Sequence, residues 1–230
     1  MPEPIVLSWS GGKDSSLALA ALLADPSVEV VGLMTSVTRG YERISIHGVR
    51  RSLLDSQARS LGLPLFEIEL EPACSNDEYE KAVLVVLDRL RVAHPALTRI
   101  AFGDLFLADV RAYRETLLAR TGMAAHFPLW MTDTTELANQ FVADGYQARV
   151  VCVDTTQLAP EFAGRAFDRQ FLEDLPDSVD LCGERGEFHT FVYDGPVFSA
   201  TISCRVGEKV LRDERFMYCD ILEAPEDREE

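Results

Sequence analysis

Apolar runs alternate with helix-forming segments over about the first hundred residues, and that alternation limits the folds open to the chain. Pro4 to Trp9 is a short apolar run, a Ser/Gly cluster follows it, and Ser16 to Leu23 is rich in strong helix formers. Val28 to Met34 reads as a second, buried strand. Val49 to Leu61 reads as a helix, with apolar residues at 49, 53, 54, 58 and 61 and closure at Gly62. Pro64 to Leu70 predicts a third strand, Asn76 to Ala93 a long helix, and Thr98 to Phe102 a fourth strand. Strands separated by helical crossovers pair in parallel and need helices on both faces, so the N-terminal part is α/β.

The pattern changes further on. Asp109 to Arg120 predicts a helix ending at Gly122, and Asp133 with Glu136 three residues later predicts a capping-box-like start to a helix that ends at Gly145. Ala148 to Val153 reads as a strand. After Asp180, the segments His189 to Tyr193, Val197 to Val206 and Glu214 to Leu222 read as strands joined by turns at Asp194-Gly195-Pro196 and Gly207-Glu208-Lys209. The expected architecture is a parallel sheet flanked by helices over residues 1–125, with a smaller α+β lobe over 126–230 packed on it.

Composition narrows the function classes. At 47% hydrophobic and 26% charged residues, the 230-residue chain has the balance of a soluble globular protein, and no apolar run is long enough to span a bilayer. No secretory signal is visible after Met1, so a cytoplasmic location is the expectation. The five cysteines are widely spaced and form no C-x-x-C pair, which argues against a zinc or disulfide framework and for reduced thiols. A net charge of −16 opposes general attraction to nucleic acid.

The segment Ser10-Gly11-Gly12-Lys13-Asp14-Ser15 lies between the first strand and the first helix. Such a loop can direct backbone N–H groups at one anion, and the helix start adds favourable partial positive charge. Glycines at 11 and 12 allow close approach, Ser10 and Ser15 add donors, and Lys13 adds a cation. Asp14 suits Mg2+, which bridges phosphate oxygens. The spacing matches neither the Walker A loop nor the dinucleotide fingerprint, and a polar turn capping a helix is the bland alternative. Asp104 follows the strand ending at Phe102, a position where α/β folds bind ligands.

This loop resembles the PP-loop of the ATP pyrophosphatase, or adenine nucleotide alpha hydrolase, superfamily. Three further segments narrow the resemblance: Gly103-Asp104-Leu105 running to Arg111 through Glu115, Pro128-Leu129-Trp130, and Cys182-Gly183-Glu184-Arg185-Gly186-Glu187-Phe188-His189-Thr190. With Asp194-Gly195-Pro196-Val197-Phe198 and the stretch Gln57 to Leu65, the chain is similar to the diphthine-ammonia ligase family. The resemblance implies a Rossmann-like fold and an ATP- and Mg2+-dependent amidation that adenylates a carboxylate, releases pyrophosphate, and lets ammonia displace AMP. It implies catalytic roles for Lys13, Asp14, Glu184 and Glu187, nucleotide contacts from Ser10 to Ser15, His47, Gly103 and Asp104, and Asp14 as the metal ligand. The implied partners are ATP, ammonium and a carboxylate, such as a modified histidine on a translation elongation factor; a homodimer is left open. His189, Arg111 and Arg114 are secondary candidates, and an Arg111–Glu115 surface ion pair would explain two residues of that helix by spacing alone. Trp130 reads as a packing anchor. A sulfur-transfer enzyme of the same superfamily and a nucleotide-binding protein without turnover are the competing readings.

Overall fold

A computed structural model describes residues 1–41, 43–44 and 48–224. The strands are β1 (Glu3–Ser8), β2 (Val28–Thr38), β3 (Arg43–Ile44), β4 (Leu65–Leu70), β5 (Arg99–Ala101), β6 (Ala124–His126), β7 (Gln147–Asp154), β8 (Phe188–Asp194), β9 (Cys204–Arg212) and β10 (Phe216–Glu223). The helices are α1 (Lys13–Ala24), α2 (Arg51–Leu61), α3 (Asn76–Ala93), α4 (Ala108–Ala119), α5 (Thr134–Ala143) and α6 (Arg169–Asp174), and a 3-10 turn covers Pro160–Phe162. The chain forms two compact units, one of Met1–Ser10, Asp14–Ser45 and Gly62–Thr132, the other of Gly11–Lys13, Ile46–Leu61 and Asp133–Glu230.

The first unit carries a curled, largely parallel sheet. Leu33 and Met34 of β2 pair with Leu7 and Ser8 of β1 and also with Leu65 and Phe66 of β4, which puts β1 and β4 on opposite edges of β2. With β5 beside β1 and β6 beside β5, the parallel order is β4-β2-β1-β5-β6, and β3 adds a two-residue antiparallel hairpin to β2. The chain winds outward in one direction from β1 and in the other from β5. Ligands of open α/β sheets bind at such a reversal, beyond the carboxyl ends of the strands.

Helix α3 shows how sequence sets an element and its packing. Ser75 accepts from the Glu78 N–H while Glu78 accepts from the Ser75 N–H at 2.7 Å, a reciprocal cap of the kind worth about 1 kcal/mol. Val83, Val86, Leu87 and Leu90, spaced three and four apart, turn one stripe of the helix into the core with Val6, Ile68, Ile100 and Phe102 from the sheet.

The second unit carries an antiparallel sheet in the order β8-β7-β10-β9. Its core is aromatic: Phe167, Phe171 and Phe188 have ring centroids 5.2 and 5.3 Å apart in sequence, and Phe141 stacks on Tyr146 at 4.8 Å. At the end of β7 the buried Asp154 accepts from Arg215, Thr156 and Gln157, with the Arg215 guanidinium chiefly responsible for holding its carboxyl far below the usual range.

Two expectations fail here. Residues 197–203 are not strand, and Gly207-Glu208-Lys209 is not a turn but the middle of β9; the hairpin turn falls at Asp213 and Glu214, both with positive φ. The loop before β9 is instead held by α2, through the Ser199 and Ala200 N–H groups bonding Ser60 at 3.0 Å each. All five cysteines are free thiols. Among the described residues no helix is long and apolar enough to cross a membrane.

Candidate functional site

The loop after β1 is shaped from both ends of its own short sequence. Trp9 donates its N–H to the Met34 carbonyl at 2.7 Å, which carries the register of β2 one residue past the strand, and Ser10 Oγ donates to Ser15 Oγ at 3.2 Å. Gly11 then takes a left-handed conformation with φ of 77°, and a Cβ there would meet Gln57 Oε1 at 2.8 Å and Leu54 at 2.9 Å. Any other residue would be strained by that backbone and would push the Gln57 and Leu54 side chains aside.

The Gly11 carbonyl is gripped twice, by the Val192 N–H at 2.9 Å and by Gln57 Nε2 at 3.0 Å. Gln57 Nε2 also donates to the Val192 carbonyl at 2.6 Å, so this fully buried amide ties loop, helix and strand β8 together. Two residues on, the Lys13 N–H donates to Thr190 Oγ1 at 3.0 Å. Lys13 opens α1 and is buried, with 1% of its surface exposed, so its charge sits in a low-dielectric setting where it would act strongly on an anion. His189, next to Thr190 on β8, is held neutral: burial first, and then the Lys13 ammonium, push its imidazole down to about 4.

Within the first unit, Asp14 and Ser15 are met by the loop after β5. A Cβ on Gly103 would lie 2.9 Å from the Asp14 carbonyl oxygen and 3.2 Å from the Ser15 nitrogen, so two backbones approach as closely as they can at the sheet reversal. Gly103 thus stands next to the loop by necessity of shape. Asp104, its neighbour, is engaged by Arg114: Nη2 donates to Oδ1 at 3.1 Å, and Nε lies 2.7 Å from Oδ2 at an angle too poor for a hydrogen bond, leaving a charge contact. Arg111 bonds Glu115 at 2.8 Å, and its guanidinium also covers the rings of Phe127 and Trp130 at 5.0 and 4.7 Å.

The acidic segment on the way into β8 is a folded loop with its own internal logic. Glu187 is buried, at 1% exposure, and its carboxylate accepts from the Asp180 N–H at 3.0 Å and the Arg185 N–H at 2.9 Å. Asp180 accepts in turn from the Cys182 N–H at 2.8 Å and from Thr134 Oγ1 at 2.8 Å. Glu184 lies on the part of the loop these bonds hold, half-buried, with its own N–H 3.4 Å from Asp180 Oδ1. The two acidic candidates therefore stand in different situations.

A bound Mg2+ keeps several waters and needs one or two protein carboxylates beside the substrate's phosphates. Asp14, half-buried at the start of α1, fits that demand; among the described residues no three His, Cys, Asp or Glu side chains gather into an all-protein metal cage. His47 lies outside the described residues. Gln57 and Thr190 do the shaping but carry no chemical signal in the sequence beyond the stretch Gln57 to Leu65 and the end of the acidic motif.

Two family profiles cover most of the chain: the diphthamide synthase N-terminal domain matches residues 4–125 and the diphthamide synthase C-terminal domain matches residues 133–225. The diphthine–ammonia ligase of Homo sapiens is 25% identical over 229 residues, covering 88% of this chain and 83% of that protein. Those of Saccharomyces cerevisiae and Schizosaccharomyces pombe are 23% and 26% identical, and the aligned parts cover 82% and 84% of this chain. The chain spans about a third of the length of these two yeast relatives, 32% and 34%.

Proposed function

Because the chain belongs to the diphthamide synthase family, we propose that it is an ATP-dependent ligase that converts a carboxylate to an amide with ammonia. The observation that carries the reading is the loop of Ser10 to Ser15 after β1, in which the Gly11 carbonyl accepts from Gln57 and Val192, the Lys13 N–H is bonded by Thr190, and Gly103 packs on the Asp14 and Ser15 backbone.

In this reading the loop and the buried Lys13 hold the phosphates of ATP. An oxygen of the substrate carboxylate attacks the α-phosphorus, and the bond to the bridging oxygen breaks with departure of pyrophosphate. Ammonia then adds to the activated carbonyl carbon, AMP leaves, and the extra proton of the nitrogen passes to solvent or to a nearby carboxylate. Lys13 offsets the charge that builds on the phosphates, and Asp14 would hold a Mg2+ that neutralises part of the same charge. Glu184 meets the cationic group of the acceptor or the incoming ammonium, while Glu187, with both carboxylate oxygens bonded to backbone N–H groups, keeps the loop that presents Glu184 in shape. The acceptor is the carboxylate of diphthine on an elongation factor or another carboxylate of that class.

Three of the five thiols are ill suited to sulfur transfer. Burial pushes Cys152 and Cys204 up to about 11 and raises Cys219 as well, away from the thiolate that a persulfide carrier needs. Incubating the protein with ATP, Mg2+, ammonium and candidate carboxylates is expected to yield AMP and pyrophosphate; ADP and phosphate would overturn the proposal. Lys13→Ala is expected to weaken ATP binding by about tenfold or more and to abolish turnover, since a charge-assisted contact of this kind is worth about 1.5–3 kcal/mol.

A further inference from the structure

We infer that Arg114 is a positioning residue for the nucleotide loop, acting through Gly103. The inference rests on the reading that Ser10 to Ser15 holds ATP. Arg114 touches both neighbours of Gly103 at once: its guanidinium carbon lies 4.3 Å from the centroid of the Phe102 ring on one side, and its nitrogens lie 2.7 and 3.1 Å from the Asp104 carboxylate on the other. Its side chain and that of Asp104 are only 26% and 15% exposed, so the pair is shielded from the water and salt that would weaken it.

The bracketed glycine has almost no freedom. The Phe102 N–H is tied to the His126 carbonyl at 2.9 Å, and the Leu105 carbonyl accepts from the Met131 N–H at 2.7 Å, so the segment is anchored on either side. At Gly103 itself the Asp14 carbonyl carbon and oxygen and the Ser15 nitrogen would all lie within 3.2 Å of an added Cβ. Backbone in contact with backbone transmits displacement, since neither side can yield by a rotamer change. Wherever Phe102 to Asp104 settles, the first turn of α1, with Asp14 and Ser15, must settle with it. Arg114, reaching from the middle of α4, sets that position by a planar stack and a fork of charge, a combination lysine reproduces only in part.

The test is ATP affinity by titration calorimetry, read well below each variant's unfolding midpoint. Wild type is expected to bind, Arg114→Ala to bind about tenfold more weakly, and Arg114→Lys to fall between them, because the cation near Asp104 survives while the stack on Phe102 does not. If Arg114→Ala does not fold, Asp104→Asn, which keeps the shape of the pair and removes its charge, carries the same expectation of weaker ATP binding. A lower midpoint with unchanged ATP affinity in Arg114→Ala, or in Asp104→Asn where that variant stands in, marks a merely structural role and overturns the inference. Wild type that fails to bind ATP overturns the functional reading itself, and this inference with it.

Discussion

Gln57 offers the sharpest test of how the loop is held. Its side-chain nitrogen donates to two buried carbonyls, Gly11 at 3.0 Å and Val192 at 2.6 Å. In Gln57→Leu the volume is nearly kept, so the cost is mainly polar. Each lost hydrogen bond is worth about 1 kcal/mol, and a buried carbonyl left without its partner costs about 1–3 kcal/mol; Gly11 retains the Val192 N–H, so the larger penalty falls at Val192. The expected loss is about 2–4 kcal/mol, with weakened ATP binding because the Gly11 peptide is held by one bond where it had two. Urea unfolding followed by far-UV circular dichroism measures the first quantity. Gln57→Glu extends the test, since it puts a carboxylate against two carbonyl oxygens. Its folded-state pKa must rise above the ordinary value of about 4.3, so the unfolded chain loses its proton first as pH rises. Stability of that variant is then best in acid and falls as pH climbs through about 4.3 toward the raised value. A loss below about 0.5 kcal/mol in Gln57→Leu, or a Gln57→Glu variant that does not weaken with rising pH, would show that the amide does not organise the loop.

Two further outcomes follow from the same geometry. Gly103→Ala places a methyl group 2.9–3.2 Å from three backbone atoms of Asp14 and Ser15, none of which can rotate away, and calorimetry should register at least about a tenfold loss of ATP affinity from a shift worth about 1.4 kcal/mol; affinity within twofold of wild type would contradict the packing described. His189, held down at about 4 against an ordinary 6.5, stays neutral in the fold while the unfolded chain takes up a proton below 6.5. Stability therefore drops as pH falls from 6.5 toward 4, by up to about 3 kcal/mol, and His189→Gln should remove that part of the slope in unfolding midpoints measured across the range; superimposable pH curves for the two proteins would refute it.

Periodicity and short apolar runs were enough to foresee most elements of the parallel sheet and its helices. The spacing of Val83, Val86, Leu87 and Leu90 and the pair Ser75 and Glu78 make α3 legible to its ends, and four of the parallel strands follow from short apolar runs between helices. The short β6 and β3 were not visible, since three and two residues carry no period. The end of the chain misled for a physical reason. Gly207 sits within β9, the edge strand, where a missing side chain is tolerated, while the true turn uses Asp213 and Glu214 at positive φ, residues that seldom advertise it. At the site, Lys13 and Asp14 stood out as candidates by residue type and place, but the shaping residues did not. Nothing about Gln57 or Thr190 announces a partner more than a hundred residues away; only the fold supplies Val192 to one and the Lys13 N–H to the other.

The grip on Gly11 also sets an order of assembly. Its carbonyl waits for Gln57, 46 positions later, and both wait for Val192, 135 positions beyond Gln57. Contacts so distant in sequence must close a long loop before they return anything, so they are disfavoured early in folding relative to local pairs. A nascent chain that has emerged only through residue 132 can already pair β1 with β2 and β5, yet it has neither the strand that bonds Gly11 nor the threonine that bonds Lys13. The Gly11 and Lys13 bonds of the loop thus form only late in synthesis, once β8 is available to make them.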